Sequence, residues 1–179
     1  DPVVRAGRPG LGEIALEVAV PLAGVLVLDL GDRTPAEGGV DRQEVGDARL
    51  VLGVEPAANV AEAARARGIT TEVRFLGAET GREIAHRHGR ADLVAGNNVF
   101  AHVPDIRGFA AGLRALVKDD GTVTLEFPHL LRLIERRQYD TIYHEHFSYL
   151  SLLTSSRALE TAGLRVTDVE ELDTHGGSL

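Results

Sequence analysis

The sequence contains no cysteine, which excludes a disulfide framework, a thiolate nucleophile and thiolate-bound zinc within its 179 residues. Cationic residues are also scarce, since 19 Lys and Arg against 27 Asp and Glu give a formal net charge of -8. Non-specific nucleic-acid binding needs a basic face that neutralises phosphates, so this balance argues against it. The longest apolar run is too short to span a bilayer, and acidic Glu13 and Glu17 stand where a signal peptide is basic. These absences predict a cytoplasmic protein without a membrane or nucleic-acid partner.

What is present is the pattern of an α/β domain. Runs made mostly of β-branched residues and leucine, at residues 25–30 and 50–54, predict strands buried on both faces. Further strands are predicted at residues 72–75, 91–95, 121–127 and 164–172, and helices at 57–67, 79–88, 105–117, 130–137 and 154–162. Residues 1–24 read as irregular or weakly helical, and residues 32–47 as a loop. Alternating strands and helices of this length predict a mostly parallel sheet with helices on both faces.

In such sheets, ligands bind beyond the carboxyl ends of the strands. Glu55 follows the second apolar run, about 20 residues after the turn at Gly31, where a carboxylate can accept hydrogen bonds from a ribose. It could equally be an acid at the start of the next helix. Gly31 is followed by Asp-Arg-Thr-Pro and not by the second glycine of a dinucleotide motif, which favours a cofactor without phosphates. S-adenosylmethionine is the commonest such cofactor, and Asp29 and Gly31 are its expected contacts beside Glu55.

Asn97 and Asn98 follow the fourth predicted strand. Adjacent amides at that position can bind the amino-acid end of a cofactor. Asparagine also tolerates left-handed turn conformations, so a purely structural turn is the alternative.

Side chains that can act as acids or bases are most concentrated in residues 143–149, Tyr-His-Glu-His-Phe-Ser-Tyr. In one interpretation, His144 and His146 bind a metal, with a third ligand from His129, His175 or a carboxylate. In another, one histidine is a general base tuned by Glu145, and a tyrosine hydroxyl stabilises an oxyanion. A solvated surface loop is the third.

Five segments together resemble a known family. They are residues 53–56 (Gly-Val-Glu-Pro), 97–105 (Asn-Asn-Val-Phe-Ala-His-Val-Pro-Asp), 126–130 (Glu-Phe-Pro-His-Leu), 143–149 and 175–178 (His-Gly-Gly-Ser). This order is similar to that of the S-adenosylmethionine-dependent C-methyltransferases that act on nucleotide-linked keto-deoxysugars in antibiotic pathways. The resemblance covers about residues 50–179 and implies a Rossmann-like class I methyltransferase fold.

The resemblance also implies roles for individual residues. His146 matches the general base that removes a proton next to the sugar ketone, with Tyr143 and Glu145 beside it. Glu55 matches the residue that holds the ribose of the cofactor. The expected contacts of the sugar-nucleotide substrate are His102, His129, His144, His175 and Ser178.

The chain also departs from this family. It lacks the cysteine-ligated zinc domain, and only Asp29 and Gly31 remain of the first glycine motif. We therefore divide it into an N-terminal region, residues 1–49, and a methyltransferase core, residues 50–179, which carries the start of a sugar-binding part. A truncated chain is expected. An inactive fragment and a metal-dependent hydrolase using His144 and His146 are the alternative functions.

Overall fold

The computed structural model describes residues 3–5, 25–29 and 50–179. The predicted turn at Gly31 and the predicted loop at residues 32–47 lie outside the described residues. Most of the segment predicted as irregular, residues 1–24, lies outside them too.

A seven-stranded sheet organises the described part of the chain, in the order β4-β3-β2-β5-β6-β1-β7. The strands are β1 Val3–Arg5, β2 Val25–Asp29, β3 Leu50–Val54, β4 Thr70–Glu72, β5 Ala91–Asn97, β6 Val117–Glu126 and β7 Arg165–Asp168. All of them run in one direction except β2, which is antiparallel to both of its neighbours. The prediction of a mostly parallel sheet is therefore confirmed.

The direction of β2 overturns one prediction about the site. Because β2 is reversed, Asp29 pairs with Leu50 at the start of β3, whereas Glu55 follows the end of β3. The prediction that Asp29 lies beside Glu55 at the cofactor edge is wrong. An apolar run shows that a strand is buried but carries no information about its direction, since the side-chain period is the same both ways.

The first strand, β1, was not predicted from the sequence. It lies in the segment expected to be irregular and pairs in parallel with β6 and β7. Three residues are too few to show a period, so pairing with the sheet and not local pattern makes this a strand.

The helices of the described residues lie close to their predicted positions. They are α1 Ala58–Ala66, α2 Ala78–His88, α3 Ile106–Leu116, α4 Leu130–Glu135 and α5 Leu152–Thr161. Asp105 begins α3 by accepting a hydrogen bond from the main-chain N of Gly108 at 2.9 Å, as an N-cap residue does. Gly89 ends α2 with φ of +86°, a conformation that favours glycine.

The sheet is covered by helices whose apolar faces meet a core centred on Phe100 and Phe109, which are almost wholly buried. Phe100 also contacts Phe127 edge to face, at 5.5 Å between ring centroids. Because Phe100 and Phe127 both follow strand ends, this contact fixes the backbone beneath the carboxyl edge of the sheet. Among the described residues, we find no helix of the length and hydropathy needed to cross a membrane.

Candidate functional site

The carboxyl ends of β3, β5 and β6 meet at one edge of the sheet, and Glu55 is the first polar residue there. It is 2% exposed, and its Oε1 accepts a hydrogen bond from the main-chain N of Ala57 at 2.7 Å. Its Oε2 is also buried and has no hydrogen-bond partner within the described ranges. Burial raises the pKa of Glu55, and the bond from Ala57 offsets part of this rise. A buried carboxylate oxygen without a donor is a site for a ligand hydroxyl.

An apolar cavity of about 200 Å³ adjoins the end of β3. Its lining includes Val54 and Pro56 beside Glu55, Phe75 and Leu76 after β4, and His102 from the loop after β5. Apolar walls next to a carboxylate that can accept further hydrogen bonds suit an adenosine group, whose base is flat and whose ribose carries two hydroxyls. The residues present therefore fit the cofactor that the sequence predicts.

Asn98 stands directly after β5 in a left-handed conformation, with φ of 51°. Its main-chain N donates to the carbonyl of Glu126 at 2.8 Å, which ties the loop after β5 to the end of β6. Its side-chain Oδ1 is buried and accepts no hydrogen bond from any described residue. Asn97 ends β5 opposite Glu126. Asn98 is thus both a turn residue and a second buried acceptor at this edge.

The segment of residues 143–149 packs against the loop that follows β5. The main-chain N atoms of Phe147 and Ser148 donate to the carbonyl of Ala101 at 2.9 and 3.2 Å. This docking buries His146 to 8% exposure and brings its ring to 4.7 Å from that of His102, measured between centroids. Residues 44 positions apart in the numbering, 102 and 146, thereby form one site.

Aromatic rings surround His146 on two further sides. The ring of Tyr143 lies 4.2 Å from it, tilted by 33°, and the ring of Tyr149 meets it edge-on at 5.8 Å. Tyr143 is itself 43% exposed. The side chains of His144 and Glu145 are exposed.

Main-chain carbonyls set the tautomers of both imidazoles. Nδ1 of His146 lies 3.0 Å from the carbonyl oxygen of Thr141, and Nδ1 of His102 lies 2.9 Å from that of Glu145. A carbonyl only accepts, so each Nδ1 carries the proton, and in the neutral ring Nε2 is the atom that can take one up. Glu145 thus contributes its main-chain oxygen to this cluster, while its carboxylate faces solvent.

The last residues close the site from the side of β6. The main chains of Phe127 and Leu179 exchange two hydrogen bonds, and that of His129 donates to Gly177 at 3.0 Å. Ser178 is buried, with its hydroxyl donating to the carbonyl of Thr174. The backbone of His175 lies in a short 3-10 turn, Thr174–Gly176; its side chain lies outside the described part.

His129 is a buried histidine at the start of α4. Its Nδ1 has no hydrogen-bond partner among the described residues, and burial lowers its pKa. The ring is therefore neutral at neutral pH and able to bond a ligand without carrying a charge.

Two contributors were missed by reasoning from the sequence. Thr174 donates its hydroxyl to Oε1 of buried Glu126 at 2.6 Å, which joins the final segment to the end of β6. Thr141 supplies the carbonyl that holds His146. Neither has a sequence signal, because one is a contact across 48 residues and the other is a main-chain atom.

The described residues contain no group of three His, Asp or Glu side chains arranged to hold a metal ion. His146 is buried and bonded through Nδ1, while His144 is exposed. The metal-dependent alternative therefore has no support among the described residues.

Residues 39–169 match the family described as a methyltransferase domain. The chain belongs to this family. It is also 46% identical to the C-methyltransferase NovU of Streptomyces niveus over 156 residues, which are 87% of the chain and 36% of NovU. The chain thus spans about a third of this relative's length. The matched stretch is longer than residues 50–179, so the likeness reaches further toward the N-terminus than predicted. The family implies S-adenosylmethionine as the methyl donor, as the sequence predicted.

Proposed function

We propose that this chain is the catalytic domain of an S-adenosylmethionine-dependent C-methyltransferase that acts on a nucleotide-linked keto-deoxysugar. The observation that carries the proposal is the position of His146, which is buried at the carboxyl edge and in contact with His102, a lining residue of the apolar cavity beside Glu55. A base beside a methyl-donor site is what carbon methylation requires, because carbon must lose a proton to become a nucleophile. The similarity to a C-methyltransferase supports the same reaction.

Glu55 and Asn98 are the proposed cofactor ligands, with Asn97 beside them. Oε2 of Glu55 accepts hydrogen bonds from the ribose hydroxyls, and the adjoining cavity takes the adenine. Oδ1 of Asn98 accepts from the ammonium group at the amino-acid end. S-adenosylmethionine, when bound, would supply the methyl group, since the methyl–sulfur bond would break as the substrate carbon bonds the methyl and its electron pair would stay on the sulfur, which would leave as a neutral thioether.

His146 is the proposed general base. Its Nε2 takes the proton from the carbon next to the sugar ketone, and Nδ1 stays bonded to the carbonyl of Thr141. The electron pair left on carbon is delocalised onto the ketone oxygen. The hydroxyl of Tyr143, whose ring lies against His146, stabilises that oxyanion. His102, His129, His144, His175 and Ser178 are the proposed contacts of the remaining sugar-nucleotide.

Exchange of the acidic substrate proton with deuterium from solvent tests this base directly, since exchange needs no methyl donor. We expect His146→Ala to slow exchange and methyl transfer by roughly 100-fold or more. His86→Ala, which changes an exposed histidine on α2, should retain the wild-type rates. Exchange that continues at the wild-type rate in His146→Ala contradicts the assignment. Absence of heat on titration with S-adenosylmethionine would favour the inactive fragment instead.

A further inference from the structure

The backbone that precedes His146 is fixed by the way α4 ends. Arg137 adopts φ of 53°, and its main-chain N bonds the carbonyl of Ile134 at 3.3 Å. The main-chain N of Gln138 bonds the carbonyl of Leu133 at 3.0 Å. These two bonds form a Schellman motif, which normally has glycine at the left-handed position. The position of Gln138 relative to α4 is thus set by the helix end.

Gln138 is held on its side-chain end as well. Its Nε2 donates to the carbonyl of Gly176 at 2.7 Å, and Arg136 donates to the same oxygen at 2.7 Å. Gly176 has φ of +80°, a conformation that favours glycine, and a Cβ there would lie 2.4 Å from this Nε2 and displace the Gln138 side chain. Gln138 therefore links α4 to the final segment of the site.

The turn Tyr139–Thr141 follows and ends at the carbonyl that holds His146. The hydroxyl of Thr141 donates to the carbonyl of Gln138 at 2.8 Å, whereas its main-chain N lies 3.3 Å from the same oxygen. The hydroxyl bond is the shorter of the two. The main-chain N of Ile142, which shares a planar peptide unit with the Thr141 carbonyl, also bonds the carbonyl of Tyr139, at 3.1 Å. The Thr141 hydroxyl bond and the Ile142 main-chain bond together fix the direction of the Thr141 carbonyl, to which Nδ1 of His146 bonds at 3.0 Å.

We propose that Thr141 is a positioning residue for His146, because its hydroxyl, through the carbonyl of Gln138, holds the acceptor that keeps the proton on Nδ1. The role rests on the proposed function, in which Nε2 is the base. If the carbonyl of Thr141 turns away, the neutral imidazole can carry its proton on Nε2 in place of Nδ1. A nitrogen that already carries a proton cannot take up a proton from the substrate, so Nε2 would no longer act as the base.

Nitrogen-15 spectra of the histidine side chains test this inference in the intact chain. Wild-type His146 should be in the Nδ1–H form, and Thr141→Val, which replaces the hydroxyl by a methyl of similar size, should populate the Nε2–H form several-fold more. Thr141→Ser keeps the hydroxyl and should give the same histidine spectrum as the wild type. Thr161→Val is the matched control, because Thr161 makes the same kind of bond, to the carbonyl of Ala158 at 2.7 Å, on α5.

Turnover provides the second measurement. We expect kcat of Thr141→Val to fall roughly 5- to 10-fold with little change in KM, as loss of one hydrogen bond allows. Gln138→Met removes the donor to Gly176 but keeps the main-chain carbonyl of residue 138. It should shift the His146 tautomer in the same direction, and it provides the test if Thr141→Val does not fold.

An unchanged His146 tautomer in a folded Thr141→Val overturns the inference, and so does a shifted tautomer with unchanged kcat. Failure of the proposed function looks different, since His146→Ala would then retain deuterium exchange. The tautomer spectra decide whether Thr141 holds the ring even in that case, because they need neither substrate nor cofactor.

Discussion

At the scale of single residues, Glu55 shows how this site prepares for a ligand. Its carboxylate is 2% exposed yet has only one hydrogen-bond donor among the described residues, the main-chain N of Ala57. Burying a charge so incompletely paired costs free energy, which is why its pKa is raised. Donors from a bound ribose would offset that cost.

We expect Glu55→Gln to weaken binding of S-adenosylmethionine by roughly 10- to 100-fold, the value of a hydrogen bond to a charged acceptor. Glutamine keeps the volume but replaces one acceptor oxygen by a donor NH₂ group. Because the ionised carboxylate is the form that accepts two hydroxyls, wild-type affinity should fall as pH decreases toward the raised pKa of Glu55. The affinity of the glutamine variant should not follow that pH dependence.

Isothermal titration across pH measures both effects. Glu62→Gln, an exposed carboxylate on α1, removes the same charge close by and should bind as the wild type does. Equal affinity of Glu55→Gln and wild type would show that Oε2 does not face the ligand.

At the scale of elements, α2 and α3 approach so closely that their backbones touch. A Cβ on Gly81 would lie 2.6 Å from the carbonyl oxygen of Gly112 and 2.8 Å from its Cα. Gly112 is equally constrained, since a Cβ there would lie 2.7 Å from the carbonyl oxygen of Gly77. Backbone atoms cannot rotate away as a side chain can, so these glycines set the distance between the two helices. Because α3 also carries Phe109 into the core under the site, that distance matters for the edge above it.

Gly81→Ala should lower the free energy of unfolding by about 1–3 kcal/mol, the usual cost of overpacking. Helix propensity alone predicts the opposite sign, a gain of about 1 kcal/mol for alanine over glycine. Urea unfolding followed by circular dichroism measures the difference. Gly77→Ala, where a Cβ has nothing within 4 Å, should be near neutral. A stabilised Gly81→Ala would mean that the helices separate at no cost.

At the scale of the whole molecule, one reversed strand decides which residues share the functional edge. β2 pairs Val25 with Val54 and with Gly96, both at the carboxyl ends of their strands. Val25, and not Asp29, therefore lines the cavity beside Glu55. The site is consequently more apolar on this side than the sequence predicts.

Introduced cysteines test the strand direction, because the chain has none of its own. Directly opposed residues of antiparallel strands have Cα atoms about 4.5–5.5 Å apart, a separation that a disulfide spans. Val25→Cys with Val54→Cys should crosslink on oxidation, as thiol titration and peptide mass spectrometry would show. Val25→Cys with Leu50→Cys should not. The reverse outcome would mean that β2 runs parallel to β3.

Much of the fold follows from local patterns in the sequence. The apolar run at residues 50–54 predicted β3 with its observed bounds, and the periodic apolar residues of 105–117 predicted α3. Glycine after α2 fixed where that helix ends. Each of these features can be predicted from a short stretch of sequence. A buried strand, a helical period and a left-handed glycine each depend on residues that are neighbours in the chain. Because ligands of such sheets bind beyond the carboxyl ends of the strands, Glu55 and Asn98 were predicted at this edge from the sequence alone.

The sequence by itself determined most of the elements, the family and the residue types available for chemistry. Only the tertiary structure decided which of them meet, because contact across 44 positions between His102 and His146 has no local signal. It also decided the direction of β2, since an apolar run looks the same read either way. The tautomer of His146 depends on the main-chain oxygen of Thr141, and every residue has such an atom, so nothing in the sequence distinguishes this one.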